Sequence, residues 1–390
     1  MSKKLFWENA YDTKFSSKIV SIKEKGITFD KTLFYPESGN QLSDHGYLKI
    51  NDHRFKVEKV TKEGVDILHH ISPDFKKKIN IGDKVDGEID WEFRYGLMKA
   101  HSSQHILSAI IKNKYDIDTV RANLNFEDVN LQLSQEISYE QLKEVLLDVN
   151  TICTSNNLKI NSKVVPYEDA EKRSEEIRSI IPNESQVRLV EIEGLDLVCC
   201  GGTHVKNTSE IGEIFIYDFR KGTGIKYYVG NKALQANSIN NIDMINLSNQ
   251  LNTPIRNLKK IIEKRLENIE YFREHLKKLS TKLLELISKT PLKIINKISL
   301  FYIDFDIDIK LLSSMLNLFP QDSIIIVRIE SNKLRILSTS EKIDANEILK
   351  KLIKVYGGKG GGNNKSAQAF LEKIPKDLLS KLESIISNSI

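Results

Sequence analysis

Cysteine is scarce in this 390-residue sequence, which has three: Cys153, Cys199 and Cys200. An odd number with two adjacent members is a poor basis for a disulfide framework and is typical of a reducing compartment. No apolar run approaches the roughly 18 residues that a membrane helix needs. The first residues, MSKKLFWENAYD, contain neither the apolar segment nor the cleavage site of a signal peptide. These absences predict a cytoplasmic protein in which a specialised cysteine is a metal ligand or a nucleophile.

The composition is that of an ordinary globular protein. Charged residues make up 28% and hydrophobic residues 40% of the chain, and the length favours two to four domains. The formal net charge of +5 suits a nucleic-acid partner without requiring one. Lys, Ile and Asn are abundant throughout, as a compositionally biased genome would make them.

Residues 1–90 are predicted to form a β-barrel-like domain. β-forming residues alternate or cluster in five short segments, at 18–23, 26–29, 47–50, 55–60 and 65–69. Gly, Asn, Asp and Lys separate the segments, which is the pattern of short strands joined by turns. A small barrel or a twisted sheet satisfies this spacing.

Residues 91–232 are predicted to mix helices and strands. Apolar residues recur at helical spacing over 92–114, and Asp90 is placed to cap that helix. A second helix begins near Ser138, where Gln141 completes a capping box. Strands are predicted at 119–125, 129–134, 187–192 and 196–199, and a hairpin at 213–229. Without a strict βαβ rhythm, the predicted fold class is α+β.

Residues 233–290 are predicted to form a helical coiled-coil arm. A helix over 254–289 carries apolar residues three and four apart, which is a coiled-coil seam. Between residues 256 and 289 it has ten Lys or Arg against five Asp or Glu. A solvated helical hairpin, a dimer seam and an RNA-facing arm all satisfy this pattern.

Residues 291–390 are predicted to form a C-terminal α/β domain. Its strands fall near 298–303, 323–329 and 334–338, followed by a helix over 345–355 and a glycine-rich run over 357–362. That run lacks the spacing of an ATP-binding loop. A loop that meets an RNA backbone and a flexible turn are both compatible with it.

Four residues predict a metal site. Residues four apart on a helix lie about 40° apart around its axis, so His101 and His105 can address one ion. In Cys200-Gly201-Gly202-Thr203-His204, the two glycines allow a thiolate and an imidazole to converge. Thiolate and imidazole ligands in one set indicate zinc. Cys199, in strand alternation, is interpreted as a small buried hydrophobe.

Four protein ligands make a closed zinc site, whereas a catalytic zinc keeps a position open. Either one ligand, most plausibly a histidine, is displaced or the ion expands its coordination. The sequence leaves both alternatives open.

Several motifs resemble the AlaX family of alanyl-tRNA editing proteins, in its long form. They also resemble the editing and C-terminal parts of alanyl-tRNA synthetase. The matching motifs span nearly the whole chain in the expected order, at 34–44, 98–105, 187–188, 200–205, 207–208, 210–212, 357–362 and 367–368. One departure is visible, because the family usually has Gly-Gly-Gln where this chain has Gly39-Asn40-Gln41. Asn tolerates a left-handed backbone best among non-glycine residues, so the turn is compatible with it.

The resemblance implies a hydrolase that removes wrongly attached amino acid from alanine tRNA, chiefly serine, with glycine a further candidate. It implies a zinc-binding editing domain over 91–232 and a DHH-associated domain at the C-terminus. Its zinc ligands carry over onto His101, His105, Cys200 and His204. The catalytic group would be a water that zinc binds or positions.

A pocket that hydrogen-bonds the serine hydroxyl would reject alanine. Gln41, Ser43, Asp44 and Thr119 are the candidates for that contact, although Asp44 equally suits a simple turn. Lys359, Gly360 and Gly361 are the candidates for tRNA binding.

Two rival interpretations are a tRNA-binding module with a structural zinc and a metal-dependent hydrolase of small esters. A homodimer through the arm or the C-terminal domain is compatible with either.

Overall fold

A computed structural model describes residues 2–71, 79–330, 332–372, 374 and 377–388. The chain divides into two compact units, Met1–Leu247 and Ser248–Ile390. Both mix helices with strands, which confirms the α+β class. Within the described residues, no helix is long and apolar enough to cross a membrane.

The first unit begins with a closed antiparallel barrel. The elements of this region are β1 (Lys3–Lys4), α1 (Leu5–Glu8), β2 (Lys14–Ile22), β3 (Gly26–Phe29), β4 (Lys31–Thr32), β5 (Gly46–Ile50), β6 (His53–Glu63), β7 (Asp66–Ile71) and β8 (Lys84–Ile89). Strands β1 and β4 form a parallel pair outside the barrel. The barrel closes in the order β2, β3, β7, β6, β5 and β8, with β8 pairing back onto β2. Strands β2, β5 and β8 bury alternate residues, as the pleat requires. The predicted barrel is therefore confirmed.

The sequence prediction missed strand β8. Its central Gly87 faces the Phe15 ring, and a Cβ there would lie 2.2 Å from Phe15 Cε1. Glycine is required at this crossing because the aromatic ring occupies the side-chain space. Because glycine weakens a strand and its neighbours are charged, the residue propensities of this segment do not indicate a strand.

The rest of the first unit is built around a long buried helix. Its elements are α2 (Trp91–Tyr115), β9 (Thr119–Asn125), β10 (Asp128–Leu133), α3 (Tyr139–Thr151), β11 (Ile160–Pro166), α4 (Tyr167–Glu171), β12 (Gln186–Ile192), β13 (Asp196–Cys199), β14 (Ile214–Arg220), β15 (Gly224–Val229) and α5 (Gly230–Gln250). Helix α2 packs with two antiparallel sheets, ordered β14-β15-β10-β9 and β11-β12-β13. Asp90 accepts a hydrogen bond from the Phe93 amide, and Ser138 with Gln141 forms the capping box. Both predicted caps are confirmed.

The second unit begins at Ser248, in the last turn of α5, and continues with a short 3-10 turn, Ile255–Asn257. Its elements are α6 (Leu258–Ile287), β16 (Lys293–Ile295), β17 (Ile298–Ile303), α7 (Ile309–Ser314), β18 (Ser323–Glu330), β19 (Lys333–Ser338), α8 (Ala345–Tyr356), β20 (Lys359–Gly362), β21 (Ser366–Phe370) and α9 (Leu378–Ser387). One sheet runs in the order β16-β17-β18-β19-β21-β20. Helices α8 and α9 pack with residues of this sheet in one apolar core.

Two sequence predictions change in this unit. The glycine run, predicted as a loop or a turn, is strand β20, which pairs with β21 at the edge of the sheet. A Cβ at Gly360 would lie 2.4 Å from the Gln368 carbonyl oxygen, so the glycines permit this close pairing. On helix α6, Leu258 is the buried member of the predicted seam, and the other seam residues are exposed. No coiled-coil partner for them lies within the described residues.

Candidate metal centre

Four side chains meet where helix α2 approaches the loop that follows β13. His101 and His105 lie one turn apart on α2, with ring centroids 4.9 Å apart. Cys200 and His204 lie in the glycine loop, defined here as residues 200–204. One candidate ligand atom from each of the four residues lies within 4.8 Å of the others. The Cys200 sulfur is 3.4 Å from His101 Nε2 and 3.3 Å from His204 Nε2.

The glycine loop has the shape that this convergence requires. A Cβ on Gly202 would lie 2.1 Å from His101 Cε1, so only glycine lets the loop approach the helix. Arg188, on β12, donates from Nη1 to the carbonyl oxygens of Cys200 and Gly202, at 2.9 and 2.8 Å. Its Nη2 donates to the Ser162 hydroxyl at 3.0 Å. The buried guanidinium therefore fixes the backbone from which two of the four side chains project.

A buried glutamine orients His101. The Thr203 amide donates to Gln41 Oε1 at 3.2 Å, and Gln41 Nε2 donates to the Thr203 hydroxyl at 2.9 Å. These two contacts fix Oε1 as an acceptor, so His101 Nδ1, at 2.8 Å, carries the proton. Nε2 of His101 then presents its lone pair toward Cys200. Such contacts are what orient histidines that bind metals.

The other two histidines, His204 and His105, differ in their hydrogen-bond partners. Nδ1 of His204 is 3.3 Å from the Ser102 hydroxyl. Both ring nitrogens of His105 are buried without a hydrogen-bond partner among the described residues. Asp196 Oδ2 is 3.9 Å from His105 Nδ1, beyond hydrogen-bond distance, and Arg178 binds that carboxylate. Unsatisfied buried polar groups cost about 1–3 kcal/mol each. A cation among the four ligand atoms would satisfy His105, so these residues fit a metal ion.

Burial sets the protonation of the cluster. It lowers the pKa of His101 and His204 well below the usual range, and that of His105 to about 3. All three imidazoles are therefore neutral near pH 7, which is the form that binds metals. Burial also raises the pKa of the Cys200 thiol, while the Gly202 amide and Arg188 lower it. A bound cation would favour the thiolate.

A cavity of about 320 Å³ opens onto His101, His105 and Cys200. Thr119 lies on its wall and is 2.7 Å, oxygen to oxygen, from the Ser108 hydroxyl. Gln104 Nε2 donates to the same hydroxyl at 2.9 Å. Arg121 and Arg178 also line the cavity; Arg178 is paired with Asp196, so the positive charge of the wall comes from Arg121.

The other predicted contact residues lie elsewhere. Gln41 is buried behind His101, as described above. Asp44 is fully buried, where its carboxylate accepts two hydrogen bonds from Arg94 and one from the Tyr35 amide. The structure therefore does not bring Asp44 to the cavity, because the ion pair with α2 already occupies it. Ser43 is also buried and accepts from the Val60 amide.

The predicted tRNA contacts Lys359, Gly360 and Gly361 lie in the second unit, on the exposed edge strand β20.

The loop that replaces Gly-Gly-Gln keeps its turn. Gly39 and Asn40 both have left-handed backbones, with φ of 57° and 64°. The Asn40 carbonyl accepts from the Leu124 amide at 3.0 Å, which ties the turn to β9. The prediction that Asn tolerates this conformation is confirmed.

Arg188 and Ser102 were missed as supporting residues. Both lie in stretches that match the family, at 187–188 and 98–105, but their supporting contacts are with residues outside those stretches.

Comparison with family models gives three matches. Residues 3–93 match "tRNA synthetases class II (A)", and residues 187–226 match "Threonyl and Alanyl tRNA synthetase second additional domain". Residues 299–388 match the "DHHA1 domain", which agrees with the predicted type of C-terminal domain. The second match contains Cys200 and His204.

Three curated relatives are informative. The alanyl-tRNA editing protein AlaX-L of Pyrococcus horikoshii is 28% identical, over 98% of this chain and 99% of its own length. The alanyl-tRNA editing protein AlaX-M of Methanosarcina mazei is 34% identical, over 55% of this chain and 90% of its own. The alanine–tRNA ligase of Sulfurisphaera tokodaii is 27% identical, over all of this chain and 44% of its own length. The chain thus spans less than half of that ligase.

Proposed function

The chain belongs to the AlaX family of alanyl-tRNA editing proteins, and from this we propose that it hydrolyses the ester of mischarged alanine tRNA at a zinc ion. The ion would be held by His101, His105, Cys200 and His204. The observation that carries the proposal is the convergence of these four side chains, three of which (His101, His105 and Cys200) line a polar cavity. Serine-charged alanine tRNA is the proposed main substrate, and glycine-charged tRNA a second one.

Zinc bound at this site would supply a Lewis acid for the ester or an anchor for the substrate. The protein's own residues would select the amino acid. The Thr119 and Ser108 hydroxyls and the Gln104 amide form a connected polar group near the histidines. A serine hydroxyl can join this group, whereas alanine would leave it without that partner. Sites built to bind a hydroxyl discriminate strongly against analogues that lack it.

We propose that His105 is the ligand that yields room for substrate. Gln41 orients His101, and Ser102 lies within hydrogen-bond distance of His204, whereas His105 has no hydrogen-bond partner among the described residues. A ligand without such support is the least constrained of the three imidazoles. His105→Ala is therefore expected to retain more metal than His101→Ala, as measured by metal analysis of the purified variants.

The second unit is proposed to assist tRNA binding. Strand β20 presents Lys359, Gly360 and Gly361 at an exposed sheet edge, where an ammonium and backbone amides can meet phosphates.

The exposed seam of α6 is proposed to pair with a second copy of the chain. Comparing the size in solution of the full chain with that of a Phe272→Asp variant tests this pairing.

The division into domains at 1–90, 91–232, 233–290 and 291–390 stays a prediction, as does a cytoplasmic location.

The experiment that tests the main proposal uses alanine tRNA charged with serine or with alanine. Wild-type protein is expected to release serine and to spare alanine. Cys200→Ser is expected to lose both zinc and activity, while the neighbouring Cys199→Ser keeps its zinc, because only Cys200 reaches the cluster. Binding of tRNA without release of serine would favour a tRNA-binding module with a structural zinc. Release of serine from simple esters but not from tRNA would favour a hydrolase of small esters.

A further inference from the structure

A second cavity, of about 480 Å³, adjoins the same glycine loop. It shares no lining residue with the cavity over His101 and His105. His204 and Arg188 form part of its wall, so one of the four cluster residues faces both the proposed metal and this space. We call it the Trp7 cavity, after the indole on its wall. Its volume falls within the ~300–1,000 Å³ range of ordinary ligand pockets.

Two aromatic side chains of the Trp7 cavity are held in fixed orientations. Trp7 Nε1 donates to the Gly201 carbonyl at 2.9 Å, which ties the indole to the glycine loop. The Tyr11 hydroxyl donates to Glu210 at 2.6 Å and accepts from the Lys206 amide at 2.8 Å. Both rings are partly exposed. Rings that are already fixed lose little conformational entropy when a flat ligand stacks on them.

The cavity is also positively charged. Lys159 and Lys206 line it and are exposed. Neither ammonium is within 4.0 Å of a carboxylate oxygen in the described part of the chain. The Lys206 ammonium lies 4.5 Å from the Tyr11 ring centroid. Glu8, the carboxylate of the wall, is paired with Lys3 at 2.8 Å.

Fixed aromatic rings beside unpaired cations are the features with which proteins bind single-stranded nucleic acid. Asn161, Ser162 and Asn207 add hydrogen-bonding groups to the wall that can meet a base edge. Lys4 lies 3.8 Å from the Trp7 ring centroid and occupies one face of the indole, so a base would stack on the other face. The cavity therefore suits one nucleotide better than a double helix.

We propose that the Trp7 cavity binds an unpaired nucleotide of the tRNA 3′ end, next to the nucleotide that carries the ester. The base would contact Trp7 and Tyr11, and its phosphate would meet Lys159 and Lys206. This inference rests on the proposed function, because that function brings a single-stranded 3′ end to the cluster. His204 lines the Trp7 cavity and converges with His101, His105 and Cys200, which line the other cavity, so consecutive nucleotides would occupy the two.

A binding experiment tests this without any hydrolysis. The probes are two uncharged alanine tRNAs, one intact and one lacking its unpaired 3′ nucleotides. Lys159→Glu/Lys206→Glu is compared with Lys49→Glu/Lys143→Glu, which makes the same charge change at exposed lysines outside the cavity. The cavity variant is expected to bind intact tRNA about tenfold more weakly than the control variant. With the truncated tRNA the two variants should bind equally.

Tryptophan fluorescence gives a second, independent measurement. The chain has two tryptophans, Trp7 and Trp91, so Trp91→Phe leaves Trp7 as the single reporter. Intact tRNA is expected to quench Trp7 emission, whereas truncated tRNA is not. Equal quenching by both tRNAs, or equal weakening of both by the lysine changes, would overturn the proposal.

The two proposals can fail separately. Selective quenching by the intact 3′ end, without release of serine from charged tRNA, would support the Trp7 cavity and refute the hydrolase. Release of serine without selective quenching would leave the hydrolase standing and refute the cavity's role.

Discussion

Helix α2 buries fifteen of its 25 residues, whereas helix α6 buries two of its 30. Helical periodicity in the sequence indicates both helices, but their side chains lie in different environments. The inward side chains of α2 include polar groups that find partners within the same unit: Arg94 with Asp44, His101 with Gln41, and Ser102 with His204. Most apolar residues of α6, apart from the buried Leu258 and Leu284, face solvent. Periodicity therefore identifies a face, and only tertiary contacts show whether the chain itself covers it.

The largest expected difference between the helices concerns their ion pairs. Asp44→Ala would leave the fully buried Arg94 guanidinium without its carboxylate, at a cost of ~3–5 kcal/mol in the free energy of unfolding. On α6, Glu270→Ala removes the exposed partner of Arg273 and should cause no measurable change. Urea titration of both variants measures this. Equal losses of unfolding free energy in the two variants would contradict the expected difference between the helices.

Metal binding should stabilise the unit that contains α2. Zinc at about a thousand times its dissociation constant is expected to add ~4 kcal/mol to the unfolding free energy. Trp7 and Trp91 both lie in the first unit, so their fluorescence follows its unfolding. The Cys200→Ser variant is the control and should show no shift. A shift of the same size in that variant would mean that zinc binds elsewhere.

A smaller effect is expected where Gln41 supports His101. Gln41→Leu removes the acceptor for His101 Nδ1 and is expected to weaken zinc binding about 10–100-fold. Gln41→Glu keeps an acceptor oxygen and should recover most of the affinity. Competition with a chelator measures both values. If Leu and Glu at this position bind zinc equally well, the orienting role of Gln41 is wrong.

The smallest effect is expected on the exposed face of α6. In dilute solution Phe272→Ser should change stability by less than about 0.5 kcal/mol, as surface substitutions do. Leu284→Ala, at the buried end of the same helix, should cost ~2–5 kcal/mol. A concentration-dependent loss of stability in Phe272→Ser would show that a second copy covers this face.

The sequence predicted local features well and non-local ones poorly. Helix α2, its Asp90 cap and the capping box at Ser138 depend on neighbouring residues, and all three were correct. No helix was assigned specifically to Gly230–Gln250, because its many Asn residues and weak amphipathic pattern give little signal. The convergence expected of His101, His105, Cys200 and His204 agrees with the geometry, although their binding of zinc remains a prediction.

The roles of the supporting residues could not be predicted from the sequence, because they depend on contacts between distant parts of the chain. Gln41 was predicted to contact substrate, but its partners His101 and Thr203 lie 60 and 162 residues away. The glycines of β20 suggested a loop because glycine is favourable in turns. Glycine is also needed where two strands approach closely, as they do here. Neither case can be decided without knowing which backbone segments approach each other.

The separation of the four cluster residues along the chain affects how the protein folds. Cys200 and His101 are 99 residues apart, and bringing them together requires closing a long loop. Contacts of such range form slowly, after local helices and hairpins. The complete set of ligands therefore exists only once the barrel, α2 and the glycine loop have assembled. Tight binding of the metal would mark the final stage of folding, and a chain arrested before that stage would offer only two separate local pairs, His101–His105 and Cys200–His204.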